Sequence, residues 1–415
     1  MLKNKKMLKN ILFIGLIAWC SIAIAQAPKV AWQQNFGGEQ QETINKMIAL
    51  TNGDYLLVGS TESIGNGQKD MWVTVLNGKG ATVWEKTYGG EKNEEATDVW
   101  LNKKDNSVLL LGYTESKGEG NRDVTLLKLD NKGEVIWEKT YGDASSNVGF
   151  TLTPTKNGGF LITSSEQISQ RVKTEGVIKL EMDHYAWLFE IDKEGEMLWE
   201  NTFRTPDVVS ITATSATDDG FVCLANTKFE GKKHGNMWLF KVDEKGKRTW
   251  EQIFEGATFN NGNAMVQTKD KGFAIAGVVY TNGMLNGDAW LVKVNKKGAF
   301  EWDQRFGGEG TDYTSCLSIT NDGGFILGGI NNSGKTYGES MWLVKTNKKG
   351  TKEWETTFGK LYTDIAAEVL QLRDNSYIVA GNTQTRVVPQ DDTKEAYDVN
   401  NAPKVYGDAL LFKMK

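Results

Sequence analysis

A tryptophan followed four residues later by Phe or Tyr occurs at Trp32, Trp84, Trp137, Trp199, Trp250, Trp302 and Trp354. Successive copies stand 52, 53, 62, 51, 52 and 52 residues apart. Seven copies at one period define a repeat fold, in which each unit buries its apolar surface against its neighbours.

The unit is clearest over 288–308. Trp290, Val292 and Val294 alternate with Leu291 and Lys293, the period-two pattern of a strand. Asn295-Lys296-Lys297-Gly298 follows as a polar turn whose last position suits a residue able to take positive φ. Phe300, Trp302 and Phe306 mark the next strand, closed by Gly307-Gly308. The turn glycine recurs as Gly80, Gly133, Gly195, Gly246, Gly298 and Gly350. The strand-centre position twelve residues before the last six of these tryptophans reads Trp72, Thr125, Trp187, Trp238, Trp290 and Trp342. Upstream, Asp/Asn/Gly turns such as Asn321-Asp322-Gly323-Gly324 separate two further β-rich runs.

Each unit therefore predicts four antiparallel strands, which we label A to D. The expected fold is all-β, a seven-bladed β-propeller of four-stranded blades. A solenoid is the alternative, but it predicts capping repeats. Here the ends complement each other: the chain opens on an isolated D strand, residues 30–36, and closes on A, B and C strands. The first strand is expected to complete the last blade and remove the exposed edges of an open array. The blades fall near 42–88, 94–141, 147–203, 208–254, 260–306, 312–358 and 364–415 with 30–36.

Lys3, Lys5, Lys6 and Lys9 precede an apolar run ending in Ala23-Ile24-Ala25, the pattern of a signal peptide cleaved after residue 25. Its removal takes four lysines and no acid, leaving 44 basic against 53 acidic residues, a net charge of −9. That argues against nucleic acid and anionic membrane surfaces as partners, and no membrane span is expected after cleavage. Cys223 and Cys316 read as two buried thiols rather than a disulfide.

Two units depart from the period. The third carries about ten extra residues between Ser165 and Tyr185, and the seventh carries Thr383 to Tyr406. Both additions fall in B–C loops, which share a face with the D–A loops. Extra loop length on one face of a repeat fold marks a candidate binding face.

Six residues after each terminal aromatic, the units read Glu42, Glu94, Asn147, Val209, Asn260, Asp312 and Asp364. All but Val209 are acidic or Asn, at the hand-over to the innermost strand. They form a candidate partial ring at the channel mouth, suited to hydroxyl groups or a hard cation. The bland alternative is that each caps its own D–A loop. A second recurring set, Asp70, Asp123, Tyr185, Asn236, Asp288, Ser340 and Asp408, looks loop-anchoring. His184 and His234, the only histidines, fall in the B–C loops of blades three and four. With Tyr397 and Tyr406 they join the candidate binding residues, although no ligand spacing predicts a metal site. No Ser-His-Asp set, nucleotide loop or calcium loop is present, so no catalytic residue and no cofactor is assigned.

The run Lys128-Leu129-Asp130-Asn131-Lys132-Gly133-Glu134-Val135-Ile136-Trp137 resembles the tryptophan-docking motif of quinoprotein-type propellers. That resemblance implies blade architecture; redox chemistry would require a flat cavity floored by Trp and a metal. Over the whole mature chain, the units are similar to those of secreted bacterial repeat proteins. They are Asp322 to Gly329, Ser340 to Lys345 and Gly350 to Gly359, with Ser340 and Lys360 departing from the pattern. Many such proteins end in a sorting domain, whereas this sequence ends on its last strand. The resemblance thus implies residence in the periplasm, or attachment to an outer-membrane partner, in a Gram-negative bacterium. The function expected is a non-enzymatic scaffold that holds an envelope or outer-membrane protein, or a glycan, on its B–C/D–A face. The alternative is a carbohydrate-active hydrolase or lyase working through channel-mouth carboxylates, which would need two acids at a set separation.

Overall fold

The computed structural model describes residues 26–174, 177–204, 210–227, 235–254, 259–280, 286–333, 339–359, 363–386 and 405–415. Residues 1–25, the expected leader, lie outside them, as do His234 and Tyr397. Every regular element among the described residues is a β-strand, and the strands form seven four-stranded antiparallel sheets. Blade 1 shows the pattern: β2 (Glu42–Ala49), β3 (Tyr55–Thr61), β4 (Asp70–Leu76) and β5 (Thr82–Tyr88), hydrogen-bonded in that order.

Burial explains the composition of each strand. Strands β3 and β4 are buried at every position, because neighbouring blades cover both faces of the sheet. Such strands read as near-continuous apolar runs. Strand β5 has one covered face and is only partly buried, which is where the Glu and Lys residues sit.

The seventh sheet has the order β1-β28-β27-β26, so the first strand (β1, Val30–Phe36) closes the ring on the last (β28, Val405–Met414). The β1–β28 ladder runs from Val30↔Met414 to Phe36↔Ala409. Lys29 and Lys415 extend it with two backbone hydrogen bonds of 2.9 Å.

The innermost strands are β2, β6 (Glu94–Leu101), β10 (Ser146–Pro154), β14 (Ser210–Thr217), β18 (Asn260–Gln267), β22 (Tyr313–Ile319) and β26 (Asp364–Gln371). Each skips one residue of register at the same place, leaving Asn45, Thr97, Phe150, Thr212, Asn263, Ser315 and Ala367 as bulges. A bulge re-aims the side chain it carries. Five of the seven use it to donate a hydrogen bond to the next blade. Asn45 Nδ2 reaches the Ala96 carbonyl at 2.8 Å, Thr97 Oγ1 that of Gly149 at 2.7 Å, and Thr212 Oγ1 that of Gly262 at 2.8 Å. Asn263 Nδ2 reaches the Thr314 carbonyl at 2.8 Å, and Ser315 Oγ bonds to that of Ala366.

Phe150 and Ala367 have no donor to offer, and the chain substitutes at both boundaries. Thr151 and Thr214 share a hydroxyl contact of 2.8 Å between blades 3 and 4. Asn382 binds both the N–H and the carbonyl of Ile44, at 2.7 and 3.0 Å, between blades 7 and 1.

Farther out, the strand-D tryptophans dock on the turn glycines of the following blade. A Cβ placed on Gly246 would lie 2.4 Å from Trp199, and one on Gly298 or Gly350 would lie 2.5 Å from Trp250 or Trp302. The strand-C tryptophans are buried between blades, as expected for packing aromatics: Trp72, Trp238 and Trp342 are among the largest fully buried side chains. Cys223 and Cys316 are buried free thiols.

The extra residues of blade 3 are a correction. They continue strands B and C as a ribbon, β11 (Phe160–Thr174) and β12 (Val177–Ile191), paired throughout from Phe160↔Ile191 to Thr174↔Val177. His184 therefore sits in strand β12, opposite Gln167, and not in a loop. In blade 7, β27 (Tyr377–Arg386) and β28 likewise stay paired up to Arg386↔Val405. Tyr406 is a strand residue opposite Thr385.

The docking contact can be separated from the backbone requirement. Gly53 (φ +89°) has nothing within 4 Å of where a Cβ would go, whereas Gly246 (φ +75°) has Trp199 and Asn201 there. Gly53→Ala should cost about 1–2 kcal/mol for its left-handed backbone alone. Gly246→Ala should cost about 1–3 kcal/mol more, because the indole must move. Urea denaturation of both variants reads the difference; equal costs would show that the docked indole contributes nothing.

Candidate functional site: the channel and the hairpin face

Innermost strands from all seven blades line a central cavity of about 730 Å³. The residue after each bulge faces it: Lys46, Asp98, Thr151, Ala213, Ala264, Cys316 and Glu368. The charges are all on one side. Lys46 Nζ pairs with Glu368 at 2.6 Å. Glu368, and then Asp98, hold Lys46 charged well above the ordinary lysine range, against the pull of burial. Burial pushes the Asp98 carboxyl up, and Lys46 offsets this only in part. Asp98 also accepts the Leu152 N–H at 2.8 Å and the Val99 N–H at 2.9 Å. The other side carries hydroxyls, with Thr151 bridging Thr163 and Thr214 at 2.7 and 2.8 Å. No cluster of three or more potential metal ligands occurs among the described residues.

The predicted ring residues sit where the innermost strands begin, but none of them lines the central cavity. They face the D–A loops. Glu42 accepts the Gly38 N–H at 2.9 Å and the Thr61 hydroxyl at 2.8 Å. Glu94 accepts the N–H groups of Gly90 and Ser116 at 2.8 and 3.1 Å and the Thr114 hydroxyl at 2.9 Å. Burial pushes Glu94 up, yet these donors together hold it below the ordinary glutamate value. Asp312 accepts the N–H groups of Gly308, Asn332 and Ser333 at 2.9, 2.7 and 3.1 Å. Asn260 accepts the Met237 N–H at 2.7 Å and donates to the Phe254 carbonyl at 3.0 Å. Asn147 accepts the Ser145 hydroxyl at 3.2 Å. Burial pushes Asp364 up, opposed by the Thr383 hydroxyl. Val209 lies outside the described residues.

The second set meets the ring at the blade boundaries. A Cβ on Gly89 would lie 2.2 Å from Asp70 and 2.6 Å from Glu94, and one on Gly37 would lie 2.6 Å from Glu42 and 2.8 Å from Asp408. Both carboxylates of a pair thus converge on the first glycine after strand D, which explains that residue's recurrence. Asp70 and Asp123 also anchor B–C loops, accepting the N–H groups of Gly67 at 2.9 Å and Gly120 at 3.1 Å. Bonds such as Gln40 N–H to Ser63 Oγ and Lys92 N–H to Ser116 Oγ, at 2.9 and 3.0 Å, tie D–A to B–C loops on one face.

The acids that carbohydrate cleavage would use are therefore divided among the blade boundaries, with their oxygens on loop donors. The channel charges were missed from sequence. Their signal is faint: four residues after the ring position, three of seven units carry a charge.

No protein-family model matches this chain, and no curated protein matches it. Among solved structures it is similar to the WD40 domain of Neurospora crassa Pan2. The TM-score is 0.52 at 9% identity, covering 94% of this chain and 97% of that one. It is also similar to the β-propeller domain of the Trilobed protease from Pyrococcus furiosus, with a TM-score of 0.46 at 9% identity over 89% and 94% of the two chains. At such identity the likeness to the WD40 domain speaks to the fold alone: the chain is a seven-bladed β-propeller. No helix among the described residues is long and apolar enough to cross a membrane.

Opposed carboxylate shifts set a pH dependence. Burial is the first cause pushing Asp70, Asp98, Asp123, Asp288, Asp364 and Asp408 above the ordinary aspartate value of 3.8. Asp270 and Asp322 instead reach about 2: burial opposes this, but hydroxyl, amide and lysine partners outweigh it. A raised group binds its proton more tightly in the folded chain, so its contribution is full below the unfolded value and falls as pH rises through the folded one. A lowered group contributes above the unfolded value and is lost as pH falls toward 2. Stability should therefore peak near about pH 4 and decline toward neutrality. Urea midpoints at a series of pH values test this; a midpoint rising steadily to pH 7 overturns it.

Proposed function

We propose that this chain is an exported, non-enzymatic scaffold that docks a protein partner on its B–C/D–A face. One observation carries the reading. Beyond Gln167 and His184, the blade 3 hairpin continues for seven paired rungs, from Ile168↔Asp183 to Thr174↔Val177. Among the described residues no third strand pairs with that stretch. A two-stranded ribbon standing clear of its sheet offers open edges to an incoming strand. Blade 7 sends a second hairpin in the same direction, and rigid blades hold both in place.

On this reading Glu42, Glu94, Asn147, Asn260, Asp312 and Asp364 act behind the face, fixing the loops that a partner meets. His184 at the ribbon root, with His234, Tyr397 and Tyr406, belongs to the contact surface. A glycan is the other ligand such a face suits. The leader over 1–25 and the resemblance to secreted repeat proteins support placement in the periplasm or at the outer membrane of a Gram-negative cell.

The test uses tagged residues 26–415 as bait in the cell envelope of the source organism. Two shortened forms accompany it, one with 169–182 replaced by Asn-Gly and one lacking 387–404. One stoichiometric envelope protein should be recovered. At least one shortened form should recover it about tenfold less well while its melting temperature moves by only a few degrees. Full recovery by both forms, or no partner at all, would sink the proposal.

A further inference from the structure

Blade 2 breaks the repeat at one buried position. Blade 7 carries Leu410 there, but in the other five blades the strand-C tryptophan packs against the preceding blade, and its indole N–H donates to an acid thirteen residues on. Trp72 donates to Glu85 at 2.7 Å, Trp187 to Glu200 at 2.9 Å, and Trp238 to Glu251 at 3.0 Å. Trp290 donates to Asp303 at 2.8 Å and Trp342 to Glu355 at 3.2 Å. Five blades thus hold an indole in one pose with one kind of acceptor.

In blade 2 the tryptophan is replaced by Thr125, but the acid remains as Glu138. The boundary between blades 1 and 2 has a cavity of about 220 Å³ there, lined by Thr125 and Glu138 together with Met71, Tyr88, Asp70 and Glu94. Its mouth is framed by Lys117, Val135 and Glu138, all exposed. Glu138 takes Lys117 Nζ at 2.6 Å, the partner available to it without an indole. An exposed pair of this kind contributes little and exchanges readily. The Thr125 hydroxyl has no hydrogen-bond partner, although Thr125 is only 1% exposed. A buried hydroxyl left unpaired carries a cost, and Thr125 bears it at the position where five other blades place an indole.

We propose that this cavity is a binding site for a small planar aromatic bearing an N–H donor, of the size and polarity of indole. The ligand lies where the other blades place their own tryptophan. Its ring packs against Met71 and Tyr88, and its N–H donates to Glu138 in place of Lys117. The room suffices: an engineered apolar cavity of about 150 Å³ takes up benzene, and this one is larger and lined by polar acceptors. The site is independent of the hairpin face, so it stands or falls apart from the scaffold reading.

Isothermal titration of indole into the full mature chain tests it, with 1-methylindole, which has no N–H, alongside. Indole should bind at one saturable site. The N-methyl compound should bind about tenfold more weakly or worse, the loss expected for a hydrogen bond to a charged acceptor. Thr125→Trp restores the repeat's own side chain and should abolish uptake while raising the melting temperature. If that variant does not fold, Thr125→Leu, the residue that blade 7 carries at this position as Leu410, should weaken binding instead. The proposal is overturned by absence of saturable binding, by equal affinity for the two compounds, or by unchanged uptake in the folded Thr125 variant.

Discussion

The ring depends on one displaced residue per innermost strand. The bulges at Asn45, Thr97, Thr212, Asn263 and Ser315 turn a short polar side chain sideways, onto a carbonyl of the adjacent blade. A regular strand sends successive side chains alternately to the two faces of its sheet; the bulge breaks that alternation and re-aims one of them. With it, each blade is fixed to the next at the axis, while the docked tryptophans fix the same pair farther out. Two separated contacts define an angle, and an angle repeated seven times defines closure. At the two boundaries where the bulged residue cannot donate, Thr214 and Asn382 supply the bond from other positions. The constraint is thus kept even where the side chain that usually meets it is absent.

Regularity at the axis leaves function to the departures from it. The channel holds Lys46, Asp98 and Glu368 on three consecutive blades, and hydroxyls opposite. The repeated acids do a quieter job: they satisfy loop amides that would otherwise be buried without partners. Because that need recurs from blade to blade, so does an acid or amide to meet it, Val209 being the exception in sequence.

Much of this was legible in the sequence. The tryptophan period fixed the number of blades, and the D-type strand at residues 30–36 announced the closure. The bulges were not legible, since Asn, Thr, Phe, Ser and Ala share no signature and a one-residue slip leaves the spacing between tryptophans unchanged. The channel charges could be placed only once that slip was known. The blade 3 ribbon reads as a loop in the sequence because its polar residues interrupt the apolar pattern; beyond Gln167 and His184 the two strands are held to each other by backbone pairing, which needs no apolar face. The site at Thr125 is the opposite case: the exception was visible in the aligned repeats, but its meaning required the geometry of the five blades that keep their tryptophan.

The β1–β28 ladder has a consequence in time. Its two strands are the first and the last of the ring, so the ring cannot shut until β28 has left the ribosome. Until then every intermediate carries an unsatisfied edge, and the emergence of β28 sets the earliest moment of completion.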